Sequence, residues 1–163
     1  MIFALVFVSY FLDGIFASFL PSYGLFRPLF TLLSILLIYP YCYYQKKTYF
    51  FLAFIAGFFY DLTYTNTPFF HGVLFVLLAA LIQLWNQYYR NTLPNLILAG
   101  SLLIFIYRVT GYLLLLFLQT FPFNFMAFLK VIGSSFFLNW IYILIVFPFF
   151  SWITQKKHLH SMN

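Results

Sequence analysis

Apolar runs long enough to cross a membrane follow one another along almost the whole chain, with only short polar breaks between them. A helix that crosses the ~30 Å hydrocarbon layer needs about 20 mostly apolar residues. Prolines, asparagines and basic residues divide the sequence into six such spans, approximately at residues 2–20, 28–44, 48–65, 69–89, 95–119 and 130–152. Charged residues make up 6% of the chain, against roughly 25% in soluble domains. The sequence therefore predicts an all-α membrane protein: residues 1–153 form a single bundle of six transmembrane helices, and 154–163 form a basic cytoplasmic tail.

The third span has the shortest apolar stretch. Its strongly apolar part lies between Tyr49 and Tyr60, so a helix of spanning length must also carry Asp61 and Tyr64 into the membrane. A re-entrant segment is the alternative for this part of the chain.

Basic residues at the ends of the spans predict the orientation of the bundle. Membrane proteins hold positive charge on the cytoplasmic side. With the N-terminus inside, that side carries Lys46, Lys47, Arg90, Lys156 and Lys157. The opposite side carries only Arg27 and Lys130. We therefore expect a multi-pass protein of the cytoplasmic membrane with both termini in the cytoplasm.

Three charged residues lie within apolar runs rather than at their ends, namely Asp13, Asp61 and Arg108. Each costs at least ~2.5 kcal/mol at mid-bilayer, so a position facing lipid without a partner is disfavoured. Counting the helical rise from the cytoplasmic side places all three in one layer, outward of the midplane. One hypothesis is that Arg108 pairs with an aspartate, preferably Asp61, while the other aspartate is protonated or faces an outer polar pocket. The alternative is that Asp61 begins the polar turn ending at Pro68 and is exposed to headgroup water.

The residues that catalysis or metal binding requires are sparse. The histidines are His71, His158 and His160, and none has an acidic residue three or four positions further on. The two tail histidines fit a solvated basic tail better than a metal site. The basic residues are scattered and form no stripe for nucleic acid, and the single cysteine excludes a disulfide framework. We expect no enzymatic activity, metal, cofactor or nucleic-acid partner.

A short motif lies at the end of the third span. The stretch from Ala53 to Thr65 contains Gly57-x-x-x-Asp61 with Tyr60 before the aspartate, and Gly72 opens the next span. This pattern resembles the signature of MreD, the rod shape-determining membrane protein family of bacteria. The spacing of Ala53 and Gly57 also predicts a close helix–helix contact.

The resemblance has implications for fold, function and partners. It implies a fold similar to the substrate-binding subunits of energy-coupling-factor vitamin transporters. It also implies a non-enzymatic subunit of the elongasome, the cell-elongation and peptidoglycan-synthesis machinery of the bacterial cell membrane, where it maintains cell shape. The implied partners are MreC, a single-span protein, together with RodA and its transpeptidase, and MreB. Two alternatives stay open: a small-molecule-binding membrane subunit of an energy-coupling-factor-type vitamin transporter, and a membrane assembly factor of another kind.

Overall fold

A computed structural model describes residues 2–19, 28–42, 44–65, 69–88, 92–117 and 124–160. Within these ranges the chain is helical and contains no strand, which confirms the all-helical prediction. The helices are α1 (Ile2–Phe19), α2 (Phe30–Ile38), α3 (Lys46–Tyr60), α4 (Phe70–Tyr88), α5 (Leu93–Phe117), α6 (Phe125–Gly133) and α7 (Phe136–His160). A 3₁₀ turn, Tyr39–Tyr41, continues α2, and a π-helical turn, Asp61–Thr65, continues α3.

Three of the described helices are long and apolar enough to cross a membrane. They are α1, α4 and the stretch Leu93–Leu114 of α5, with mean hydropathies of 2.0, 1.4 and 1.8. The segments Phe30–Tyr41 and Phe136–Trp152 are also apolar but shorter. Helices satisfy their backbone hydrogen bonds internally, which lipid cannot do for them. The chain is thus a helical membrane protein.

Helix α2 occupies the centre of the bundle. All nine of its residues are buried, because α1, α4, α5 and α7 pack around it. Such a position suits a helix that is apolar on every face. The α-helical part ends at Ile38 because the ring of Pro40 prevents a further turn of regular helix.

Small residues let the outer helices approach this central one. A methyl group at Gly100 of α5 would lie 2.7 Å from Cδ1 of Ile143 and 3.2 Å from Cδ2 of Leu33. Helix α5 therefore passes close to both α7 and α2 at this point.

The third expected span continues past its apolar stretch. Helix α3 is 15 residues long, and the π-helical turn adds five more, carrying Asp61 and Tyr64. The sixth expected span instead falls across two helices. Lys130 belongs to α6, and α7 begins at Phe136 after a turn. The amide groups of Ser134 and Ser135 close this turn by bonding to the carbonyls of Lys130 and Ile132.

The predicted topology residues occupy helix ends where the structure describes them. Lys46 and Lys47 are exposed in the first turn of α3, and Lys130 lies in the last turn of α6. Lys156 and Lys157 lie in α7, which makes the predicted tail helical as far as His160. Arg27 and Arg90 lie outside the described residues.

Candidate functional site

Asp61 joins the end of α3 to the start of α4. Its Oδ2 accepts hydrogen bonds from the backbone amides of His71 (2.8 Å) and Gly72 (3.1 Å). Its Oδ1 bonds to the imidazole Nδ1 of His71 at 2.7 Å. The first amides of a helix lack partners within the helix and form the positive end of its dipole, so a carboxylate is well placed there. The side chain is only 2% exposed, and these bonds compensate for the burial of its charge.

Gly57, one turn before Asp61, lets the two helices touch. A methyl group at this position would overlap the carbonyl oxygen of His71 and lie 2.6 Å from its carbonyl carbon and 2.8 Å from Cα of Gly72. Ala53, a further turn back, is completely buried. Ala53, Gly57 and Asp61 thus form one stripe of α3, and the last two lie against the first turn of α4. This contact between the backbones allows the short aspartate side chain to reach the α4 amides.

Gly72 takes part in the same joint from the other side. Its backbone amide donates a hydrogen bond to Asp61 Oδ2, and a methyl group at this position would lie 3.3 Å from the ring of Phe54 on α3. Phe69, just before α4, has a positive φ of 64°. The chain therefore enters α4 through a left-handed residue, a costly conformation for an aromatic residue.

Asp13 holds the start of α2 in the same way. Its Oδ1 accepts a hydrogen bond from the backbone amide of Phe30 (2.8 Å). Its Oδ2 accepts hydrogen bonds from the backbone amide (2.9 Å) and the hydroxyl (2.6 Å) of Thr31. The preceding amide, that of Leu29, donates to Oδ1 of Asn139 on α7 at 2.8 Å. Three successive amides at the start of the central helix are therefore bonded by side chains of α1 and α7.

Arg108 of α5 lies beside the turn between α6 and α7. Its Nε donates to Oγ of Ser135 at 2.7 Å, and the Nδ2 of Asn139 donates to the Ser135 carbonyl. A chain of hydrogen bonds thus leads from Arg108 through Ser135 and Asn139 to the start of α2.

The described contacts therefore differ from the Asp61–Arg108 pair that the sequence suggested. Asp61 is bound by His71 and the amides of α4, and Arg108 is bound by Ser135. The difference arises because the chain returns from Asp61 to His71 within ten residues. The first amides of α4 therefore lie within hydrogen-bonding distance of the carboxylate.

His71 lies among aromatic rings. Its ring centroid is 5.1 Å from that of Tyr60, 5.7 Å from that of Tyr107 and 6.3 Å from that of Phe75. The Cζ of Arg108 lies 5.6 Å from the centroid of the Tyr107 ring. The two polar regions around Asp61 and Arg108 are thus neighbours across one aromatic side chain.

Sequence reasoning missed four members of these networks. It looked for an acid three or four residues after His71, whereas the actual partner precedes the histidine by ten. It also passed over Thr31, Ser135 and Asn139, which are all completely buried. A signal was available, since asparagine is rare within an apolar run and costly there unless bonded.

The chemistry of the site is that of helix positioning. Both acidic side chains of the protein bind the amides of the helix that follows their own. The described residues include no group of three histidine, cysteine or acidic side chains that could hold a metal ion.

Comparison of the chain with protein-family models, with curated proteins and with solved structures finds no match.

Proposed function

We propose that this chain is an MreD-like, non-enzymatic subunit of the bacterial cell-elongation machinery, which docks an MreC-like protein and the peptidoglycan synthases in the cytoplasmic membrane. One observation carries the proposal. The residues that resemble the MreD signature form a single joint, in which Gly57 and Asp61 of α3 both contact the His71–Gly72 turn of α4. Tyr60 completes the joint by packing its ring against that of His71. Motif residues that meet at one helix–helix contact support the resemblance more strongly than the same residues would if they were scattered over the fold.

The directions of α1 to α4 agree with successive membrane crossings, as the proposed bundle of six spans with both termini in the cytoplasm requires. Tyr10 of α1 bonds to Thr63 beyond α3, so the end of α3 lies beside α1. The start of α3 lies at the end of α2, where the rings of Tyr39 and Tyr49 are in contact. Helices α2 and α4 begin beside Asp13 and Asp61 and run back in the opposite sense. This alternation is what successive membrane crossings with short connections require.

The state of the polar side chains favours docking over vitamin binding. In the transporter alternative, the layer of charges would line a pocket for the ligand. Here Asp13 and Asp61 are buried and bonded to helix amides. Two grooves on the described surface, of about 610 and 240 Å³, are lined almost entirely by apolar atoms. Docking of a partner on the helix faces is therefore better supported than binding of a vitamin.

Purification from native membranes tests the proposal. The full chain, carrying a C-terminal affinity tag, is isolated in mild detergent, and its companions are identified by mass spectrometry. We expect an MreC-like single-span protein to be retained. Retention of a vitamin together with ATPase subunits would establish the transporter alternative, and the absence of any MreC-like protein would contradict the proposal.

A variant comparison makes the test sharper. Gly57→Ala disturbs the α3–α4 joint, whereas Gly111→Ala adds the same methyl group where no described atom lies within 4 Å. Partner retention should fall in the first variant and persist in the second. If the two variants retain the partner equally, the α3–α4 joint is not required for docking.

A further inference from the structure

A lateral groove lies between the first half of α1 and the second half of α3. It has a volume of about 610 Å³, and its walls include Phe3, Phe7 and Phe11 on α1 and Leu52, Ile55 and Phe59 on α3. The three α1 phenylalanines and Phe59 are half or more exposed, so the groove opens sideways to the surroundings of the bundle. In a helical membrane protein, those surroundings are lipid.

One end of the groove is closed by hydrogen bonds. The Tyr10 hydroxyl pairs with Oγ1 of Thr63 at 2.7 Å, and the Tyr64 hydroxyl donates to the Tyr10 carbonyl at 3.1 Å. The tyrosine hydroxyl that borders the groove is thus already bonded. The other wall residues that the structure describes all have apolar side chains.

The other end of the groove lies near two exposed cations. Lys47 precedes Leu52 by five residues, which is about 7.5 Å along a helix, and Lys46 lies beside it at the start of α3. The chain has two acidic residues, and both are buried against helix amides. The protein itself therefore supplies no carboxylate side chain to balance these lysines.

We infer that this groove binds one acyl chain of an anionic phospholipid, whose phosphate lies at Lys46 and Lys47. The dimensions agree with this ligand. From Phe3 to Phe11 the groove runs for about 12 Å, most of the ~15 Å hydrocarbon depth of one leaflet. An acyl chain can lie within such a groove, whereas a helix ~10 Å in diameter can only lie over it. The phosphate supplies the negative charge that the lysines attract.

Photolabelling with a lipid probe tests the inference. The full chain is reconstituted in phosphatidylcholine nanodiscs that contain a little phosphatidylglycerol with a diazirine in one acyl chain. After illumination, the labelled peptides are located by mass spectrometry. We expect adducts to be concentrated in residues 3–11 and 52–59. An even distribution over the exposed faces of α1, α4 and α5 would overturn the inference.

Matched variants separate the groove from general lipid contact. Ala4 and Ala17 are both exposed residues of α1, but only Ala4 lines the groove. Ala4→Phe should lower the labelling of residues 52–59 at least fivefold, whereas Ala17→Phe should leave it unchanged. Circular dichroism and gel filtration confirm that both variants are folded. An equal effect of the two substitutions would contradict the assignment.

The headgroup is tested separately. Neutralising Lys46 or Lys47 with glutamine should reduce the preference for phosphatidylglycerol over phosphatidylcholine by about fivefold for each lysine, and Lys130→Gln should not. Equal labelling by phosphatidylcholine and phosphatidylglycerol probes would overturn the assignment of an anionic lipid. Cross-linking of the groove to a protein helix in native membranes, in place of lipid, would overturn the ligand class.

Discussion

Replacing Gly57 by alanine should destabilise the protein, although the same change in a helix normally stabilises it. The new methyl group would lie 2.6 Å from the carbonyl carbon of His71 and 2.8 Å from Cα of Gly72. Carbon atoms in contact prefer about 3.5–4.0 Å, so the two helices must separate by about 1 Å. Both neighbours are backbone atoms, and no side-chain rotation can relieve the overlap.

The cost can be assembled from three contributions. Overpacking of this kind costs about 1–3 kcal/mol. The separation also stretches the bond between Asp61 Oδ2 and the Gly72 amide, now 3.1 Å, past hydrogen-bonding range, which adds about 1.5 kcal/mol. Alanine's helix propensity offsets about 1 kcal/mol. The net loss should be about 2.5 kcal/mol, or roughly 5–10 °C in Tm for a chain of this size.

The measurement is an unfolding titration of the purified protein from mild detergent into dodecyl sulfate, followed by circular dichroism. Gly111→Ala is the control, because its methyl group meets no described atom within 4 Å; it should be neutral or stabilising by up to about 1 kcal/mol. If Gly57→Ala proves as stable as the control, the close approach of α3 and α4 is wrong.

Three further predictions concern the same packing and use the same titration. Asp61→Ala removes the acceptor of two α4 amides and should cost about 3 kcal/mol, whereas Asp61→Asn keeps one carbonyl oxygen and should cost less; the reverse order would exclude a capping role. The exchange of Asp61→Arg with Arg108→Asp should be no more stable than either single variant, because His71 and backbone amides hold the side chain at position 61. Recovery of wild-type stability in the double variant would show that the two charges depend on each other. Gly100→Ala should cost about 1 kcal/mol or less, because the nearest atom is the mobile Cδ1 of Ile143. If Gly100→Ala lowers the stability as much as is expected for Gly57→Ala, the argument that a side-chain neighbour yields more easily than a backbone neighbour is wrong.

Local properties of the sequence were sufficient to identify the protein class and the helical secondary structure. Hydropathy and the scarcity of charge require lipid as the solvent, and apolar runs of about 20 residues cross lipid as helices. These conclusions do not depend on how the helices pack. Gly57 and Asp61 could also be singled out from the sequence, the first by its spacing from Ala53 and the second as a charge within an apolar run. The end of α3 was harder to predict, because hydropathy falls at Asp61 while the backbone continues in a π-helical turn.

The partners of the polar side chains were decided by the tertiary structure alone. Counting residues along a helix estimates the depth of Asp13, Asp61 and Arg108 but not the direction in which each side chain points. Their similar depth made a pair of opposite charges plausible. In the structure the chain turns back after Asp61, so the start of α4 lies against this residue. The helix amides bind the carboxylate because they lie within hydrogen-bonding distance and are themselves without partners within the helix. The turn between α6 and α7 at Ser135 likewise involves residues far apart in sequence, because Arg108 of α5 donates a hydrogen bond to the Ser135 hydroxyl.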